Sequence, residues 1–202
     1  MLFSDEYKIL ASPAESSLRE KGSRFLAYAF PVVNENEVKL HLDKLRNHFP
    51  DASHHCYAYV IGQGSEAQRA NDDGEPSNSA GKPILRAITS AQLTNALVVV
   101  VRYFGGTLLG IPGLINAYGL AAKQVLDLAT VETRIREVFF TVEVAFAHEQ
   151  ELHRLVSKFG ACMDKMKYNE QGLIASVRVK NSLSSGFESA VAQHYQLQLI
   201  LN

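Results

Sequence analysis

The chain has 202 residues, 47% of them hydrophobic and 20% charged, with a formal net charge of −1. That is enough apolar material to bury the core of one large or two small globular domains. The near-neutral charge excludes a global basic field that would draw the molecule to nucleic acid, so any anion site must be local.

The two cysteines, Cys56 and Cys162, are far apart and form no metal or redox motif, which fits a reduced, cytoplasmic protein. The first ten residues, MLFSDEYKIL, are acidic and lack a signal-type apolar run. No apolar stretch approaches the roughly 18–20 residues needed to cross a bilayer, so no membrane partner is expected.

In chain order, strands are expected over Ser4–Ala11 and Leu18–Val33, the second interrupted at Lys21-Gly22-Ser23. A helix follows over Glu35–Phe49. Asn34 is its cap, Glu37 the reciprocal partner, and Val38, Leu42, Leu45 and Phe49 form one apolar face. His54–Ile61 reads as a strand and Gly62–Pro83 as a polar loop. Pro83–Leu93 reads as a short helix with proline in its first turn. The run Ala96–Val101, inside a strand over Asn95–Phe104, has no polar alternation and should be central, covered on both faces. Pro112–Ala129 reads as a core helix through Leu114, Ile115, Tyr118, Leu120, Val125 and Leu126.

The character changes around Thr130–Glu137. Strands at Arg136–Phe146, Cys162–Tyr168, Leu173–Val179 and Gln196–Leu201 are expected, with helices at His148–Phe159 and Ser185–His194. Ser185 and Glu188 form a capping-box pair. The order βαββαβ is the ferredoxin-like plan. The domain reading is therefore 1–134 and 135–202, and the fold class is α+β.

Several constellations carry candidate chemistry. Gly105, Gly106, Gly110 and Gly113 lie between a strand and a helix, where exposed N–H groups favour anions; they also suit a tight connection with no ligand. Neither the P-loop nor the dinucleotide-binding spacing is present. Asp72, Asp73 and Glu75 could hold a divalent cation, but Asp, Gly and Pro are also what a surface turn requires, and no metal is assigned. On a strand His54 and Cys56 share a face, too few ligands for zinc, while His55 points away and could reach a ligand at the sheet surface. His148 and His153 are one position too far apart for a zincin helix. Lys82, Arg86 and Arg102, with Tyr103 and Phe104, are the candidates for contact with phosphates and bases; the competing reading is aromatic core and ordinary surface charge.

Four ordered strings, Lys21–Phe25, Asp51–Gly62, Asp72–Leu85 and Val101–Gly119, together resemble the IMPACT family, whose pattern is close to RYFGG-x-x-LG-x-GGL-x-x-AY. Pro112 stands where the family often has glycine. Residues 135–202 resemble the small C-terminal domain of its bacterial two-domain members. The resemblance implies a first domain of the two-layer α/β type found in domain IV of elongation factor G. It implies a second similar to the ferredoxin-like C-terminal domain of that factor. Eukaryotic relatives regulate translation initiation by competing for an activator of an eIF2α kinase and carry a different partner domain, which is not expected here.

The expected function is a non-enzymatic RNA- or ribosome-associated protein modulating translation, with RNA, the ribosome or a translation-related protein as partner and no cofactor. The alternatives are a nucleotide-binding, phosphotransferase-like enzyme and a protein-interaction module using the same surface.

Overall fold

The computed structural model describes residues 5–62 and 66–200. Ser4 and Leu201, the outer ends of the first and last expected strands, lie outside the described residues, as does part of the 62–83 loop. The chain divides into two compact units, Tyr7–Arg134 and residues 135–200 with Asp5 and Glu6. Both mix helices with antiparallel sheet, and the fold is α+β.

The first unit is built on a five-stranded sheet. Its strands are β2 (Ala14–Glu20), β3 (Ser23–Pro31), β4 (His54–Ile61), β5 (Ala67–Asn71) and β6 (Ala96–Tyr103), in the order β2-β3-β6-β4-β5. Every pairing is antiparallel. β6 is the central strand, and Ala96 to Arg102 are all buried, as its unbroken apolar run requires. Helices cover both sheet faces. Helices α2 (Gly81–Ser90) and α3 (Gly110–Leu128) pack with Ala96, Val98 and Val100 on one face. Helix α1 (Glu35–His48) packs with Leu97, Val99 and Val101 on the other, adding a third layer to the expected two. β1 (Glu6–Leu10) pairs with β7 (Val131–Ile135) in a separate ribbon.

Local signals explain most boundaries. Asn34 accepts a bond from the Glu37 N–H at 3.0 Å, and the Glu37 carboxylate accepts from the Val33 N–H at 2.9 Å, so the expected cap forms with its reciprocal bond one residue earlier. Four expectations need correction. Lys21 and Gly22 both have positive φ and close a two-residue hairpin, so β2 and β3 are two strands rather than one interrupted strand. β5 lies within the expected polar loop, because the free edge of β4 supplies its bonds. Ile115 and Leu120 are exposed, because α3 buries only the face carrying Leu114, Ala117, Tyr118, Ala121, Ala122, Val125 and Leu126.

The fourth correction falls in the second unit. Its strands β8 (Glu137–Ala145), β9 (Cys162–Tyr168), β10 (Gly172–Lys180) and β11 (Leu197–Ile200) alternate with α4 (Glu149–Lys158) and α5 (Ser184–Gln193) in the βαββαβ order. The sheet order is β11-β8-β10-β9. Leu152, Leu155 and Val156 of α4 and Phe187 and Val191 of α5 share a core with alternate residues of the sheet. The Ser185–Glu188 capping box does not form, because α5 begins one residue earlier; its N-cap is Leu183, and the Ser185 carbonyl accepts from Ser189 Oγ.

Candidate functional site

The site lies where β4, β6, the 72–81 loop and the start of α3 converge. His54 and Arg102 are direct cross-strand partners on β4 and β6, and Cys56 lies opposite Val100 two residues along. Alternation aims Arg102 and Cys56 at the α2–α3 side and His55 and Tyr103 at the α1 side.

Arg102 is only 5% exposed. Its Nη1 donates to Glu75 Oε1 at 2.5 Å and its Nη2 to Ser23 Oγ at 3.3 Å. Its guanidinium carbon lies 5.5 Å from the Phe25 ring centroid and 5.6 Å from that of Phe104. Glu75 Oε1 also accepts from Tyr118 Oη at 2.8 Å, and His54 Nε2 lies 3.8 Å away. His54 Nδ1 is 2.8 Å from the Asp73 carbonyl oxygen. A carbonyl can only accept, so Nδ1 carries the proton. Cys56 Sγ lies 3.0 Å from the Asp72 carbonyl oxygen and 3.3 Å from Tyr118 Oη. Burial pushes both the Cys56 thiol and the Tyr118 phenol far above their ordinary ranges, holding them protonated.

The acidic loop is organised by its own backbone. Asp72 Oδ1 accepts from the Ala80 and Gly81 N–H groups at 2.9 and 2.8 Å, and Oδ2 from the Asn78 N–H at 2.8 Å. A carboxylate of the chain itself thus occupies the N-terminus of α2. Asp73 Oδ2 accepts from the His55 N–H at 2.6 Å, and Oδ1 lies 3.6 Å from Arg46 Nη2. The loop closes over β4, and Glu75 enters the space above Arg102.

The glycines fall into two groups. A Cβ on Gly105 would sit 1.9 Å from the Gly22 carbonyl carbon, so the β2–β3 turn and the turn after β6 touch backbone to backbone. Ser23 Oγ ties them together by accepting from the Gly105 N–H at 3.2 Å. Gly106 and Gly110 have positive φ, and Gly113 packs under Leu109.

Above the ion pair lies a pocket of about 420 Å³, lined by His54, Glu75, Arg102, Phe104, residues 108–111 and Leu114. Its rim is apolar. Leu108 is 84% exposed, and Phe104 and Ile111 are also exposed. The floor pairs one carboxylate with one guanidinium.

Arg102, Phe104, Glu75 and Gly110 therefore meet in one pocket, with Gly105 and Gly106 in its supporting turn; Gly110 and Gly113 lie in the first turn of α3, which begins two residues before the expected Pro112, rather than between strand and helix. Tyr103 is on the other sheet face, donating to Asp51 Oδ1 at 2.9 Å under Arg24. His55 is buried there too, its Nε2 without a hydrogen-bond partner among the described residues. Burial lowers its pKa from 6.5 against the opposing charge of Asp73. Lys82 and Arg86 are exposed on α2 and do not line this pocket; Arg86 borders a separate groove between α2 and α3. The sequence reading did not single out His54, Ser23, Tyr118 or Leu108 as site residues. Strand alternation carried the signal for His54, and the Lys21–Phe25 string that for Ser23. Among the described residues no helix is long and apolar enough to cross a membrane, and no cluster of three or more His, Cys, Asp or Glu could hold a metal ion.

A sequence model of the Impact N-terminal domain matches residues 21–126. The chain is 30% identical over 177 residues to IMPACT family member YigZ of Escherichia coli, covering 87% of this chain and 85% of that protein. It is 33% identical over 156 residues to an IMPACT family member of Haemophilus influenzae, covering 76% of each. A crystal structure described as that of a hypothetical protein superposes over 98% of this chain and 97% of its own, with a TM-score of 0.68 and 28% identity. The pocket, its ion pair and both turns that support it lie within the matched span, and the chain belongs to the IMPACT family.

Proposed function

We propose that this protein is a non-enzymatic binding module of the cytoplasmic translation apparatus, associating with RNA or the ribosome through the first unit. On this reading the first unit is the family's N-terminal domain and the second the counterpart of the C-terminal domain of elongation factor G. The observation that carries the reading is the backbone contact between the Lys21-Gly22 turn and Gly105. It sets the exposed Lys21 beside residues 104–111, where Phe104 and Leu108 are exposed, while Arg19 and Arg24, cross-strand partners in the same hairpin, are exposed on the sheet face that carries Tyr103. Cations meet phosphates, and the exposed Phe104 offers a stacking surface.

Arg102 takes a different role from the one its sequence position suggested. Paired with Glu75 and buried, it holds the loop rather than presenting charge. Lys82, exposed at the start of α2, is a further candidate cation. Binding is favoured over nucleophilic catalysis by the environment of Cys56 and Tyr118, both kept protonated. The test is co-sedimentation with ribosomes over a range of salt concentrations, comparing the unaltered chain with Lys21→Ala/Arg24→Ala. Association that weakens with salt and with the double variant supports the reading; association that neither changes overturns it.

A further inference from the structure

The second unit presents an open sheet face that neither α4 nor α5 covers. Phe140, Val142 and Val144 of β8 and Leu173, Ala175, Val177 and Val179 of β10 point into the core shared with those helices. Alternation therefore puts Phe139, Thr141 and Glu143 of β8 and Ile174, Ser176 and Arg178 of β10 on the other side. The edge strand β9 adds Lys165 opposite Ser176 and Lys167 opposite Ile174.

Phe139 is 62% exposed there, and its direct cross-strand partner is Arg178. The Arg178 guanidinium is held between Glu137 at 3.4 Å and Asp164 at 3.3 Å, the latter beside the irregularity in the β9–β10 pairing. Glu143, the remaining acid of the face, accepts from Asn169 Nδ2 at 3.5 Å. Lys165 and Lys167 are exposed and make no ion pair among the described residues. The two central strands thus carry an aromatic ring and a guanidinium plane side by side, with unpaired cations on the neighbouring edge.

We propose that this face binds single-stranded RNA. Four-stranded sheets of βαββαβ units bind unstacked bases when side chains with a flat face project from their central strands, and both aromatic rings and Arg guanidinium planes stack on bases. Phe139 and Arg178 supply two such positions. Lys165 and Lys167, the unpaired cations of the edge strand, would meet the phosphates of a chain whose bases stack on Phe139 and Arg178, while Glu137 and Asp164 are held by Arg178. Duplex RNA does not fit, because its bases are already stacked and paired.

The experiment is fluorescence anisotropy with the full chain and a labelled short oligouridylate, beside a duplex of equal length. Single-stranded probe binds more tightly than duplex. Phe139→Ala weakens it by about ten-fold and Phe139→Tyr restores it. Lys165→Ala/Lys167→Ala reduces the salt slope by about 1.4 in log–log units. Unchanged melting temperatures show that these exposed positions leave the fold intact. Equal affinity for both probes, no RNA affinity at all, or no effect of Phe139→Ala overturns the proposal. So does loss, in Phe139→Ala, of a ribosome association that ribonuclease does not disturb, which would make the face a protein-docking surface. The first-unit reading fails separately, on Lys21 and Arg24 alone.

Discussion

Arg102 and Glu75, 27 positions apart in sequence, meet at 2.5 Å with both side chains at least nine-tenths buried, and this pair locks the acidic loop onto the central strand. Removing one partner strands the other charge in a buried site, which costs about 3–5 kcal/mol. Glu75→Leu and Arg102→Met should each lower urea-unfolding stability by that amount, and the double variant should recover most of the loss. Additive losses in the double-mutant cycle would show that the pair is not coupled.

Asp72 should matter for order in the loop more than for charge at its surface. Three backbone N–H groups depend on its carboxylate, and α2 has no other side-chain cap. Asp72→Ala is expected to cost about 1–3 kcal/mol. Amide exchange at Asn78, Ala80 and Gly81 should accelerate before that of the sheet. Unchanged protection at those three amides would contradict the assignment.

Gly105 and Gly106 are neighbours with different constraints. Alanine at Gly105 collides with the Gly22 backbone, whereas alanine at Gly106 meets nothing within 4 Å and bears only the cost of its φ of +84°. Thermal or urea unfolding should show a loss of about 3 kcal/mol for Gly105→Ala and about 1 kcal/mol for Gly106→Ala. Equal losses would remove the close approach of the two turns from the account.

His55 makes stability depend on pH. Its folded-state pKa is lowered from 6.5, chiefly by burial, so the unfolded chain binds more protons as pH falls through that value. The stabilisation is therefore complete above about pH 6.5 and declines as the pH drops through the folded pKa. The midpoint of urea unfolding should fall between pH 7 and pH 5, and His55→Gln should flatten that decline. A midpoint that rises on acidification would reverse the sign.

Much of this architecture was legible from local patterns. The apolar run of β6 marked a strand with two covered faces, and Asn34 with Glu37 marked the start of α1. Alternation on β4 correctly separated His54 and Cys56 from His55. What escaped depends on partners distant in sequence. β5, with the sequence AQRAN, has little intrinsic strand character and exists because β4 offers an edge. Ile115 and Leu120 look like core by composition, yet the burial geometry of α3 leaves them outside. Arg102 stood out as a cation at a strand end, but nothing near it in sequence indicated that Glu75 would neutralise it. The cations at Lys21 and Arg24 became site candidates only once the Gly22–Gly105 contact placed their hairpin beside the glycine loop.

The most direct test of the account is ribosome co-sedimentation of the full chain against Lys21→Ala/Arg24→Ala. Melting temperature serves as the control for folding. The unaltered protein should pellet with ribosomes at low salt, be released as salt rises, and lose most of its association in the double variant. A folded double variant that pellets as well as the unaltered chain at every salt concentration would contradict the proposed surface.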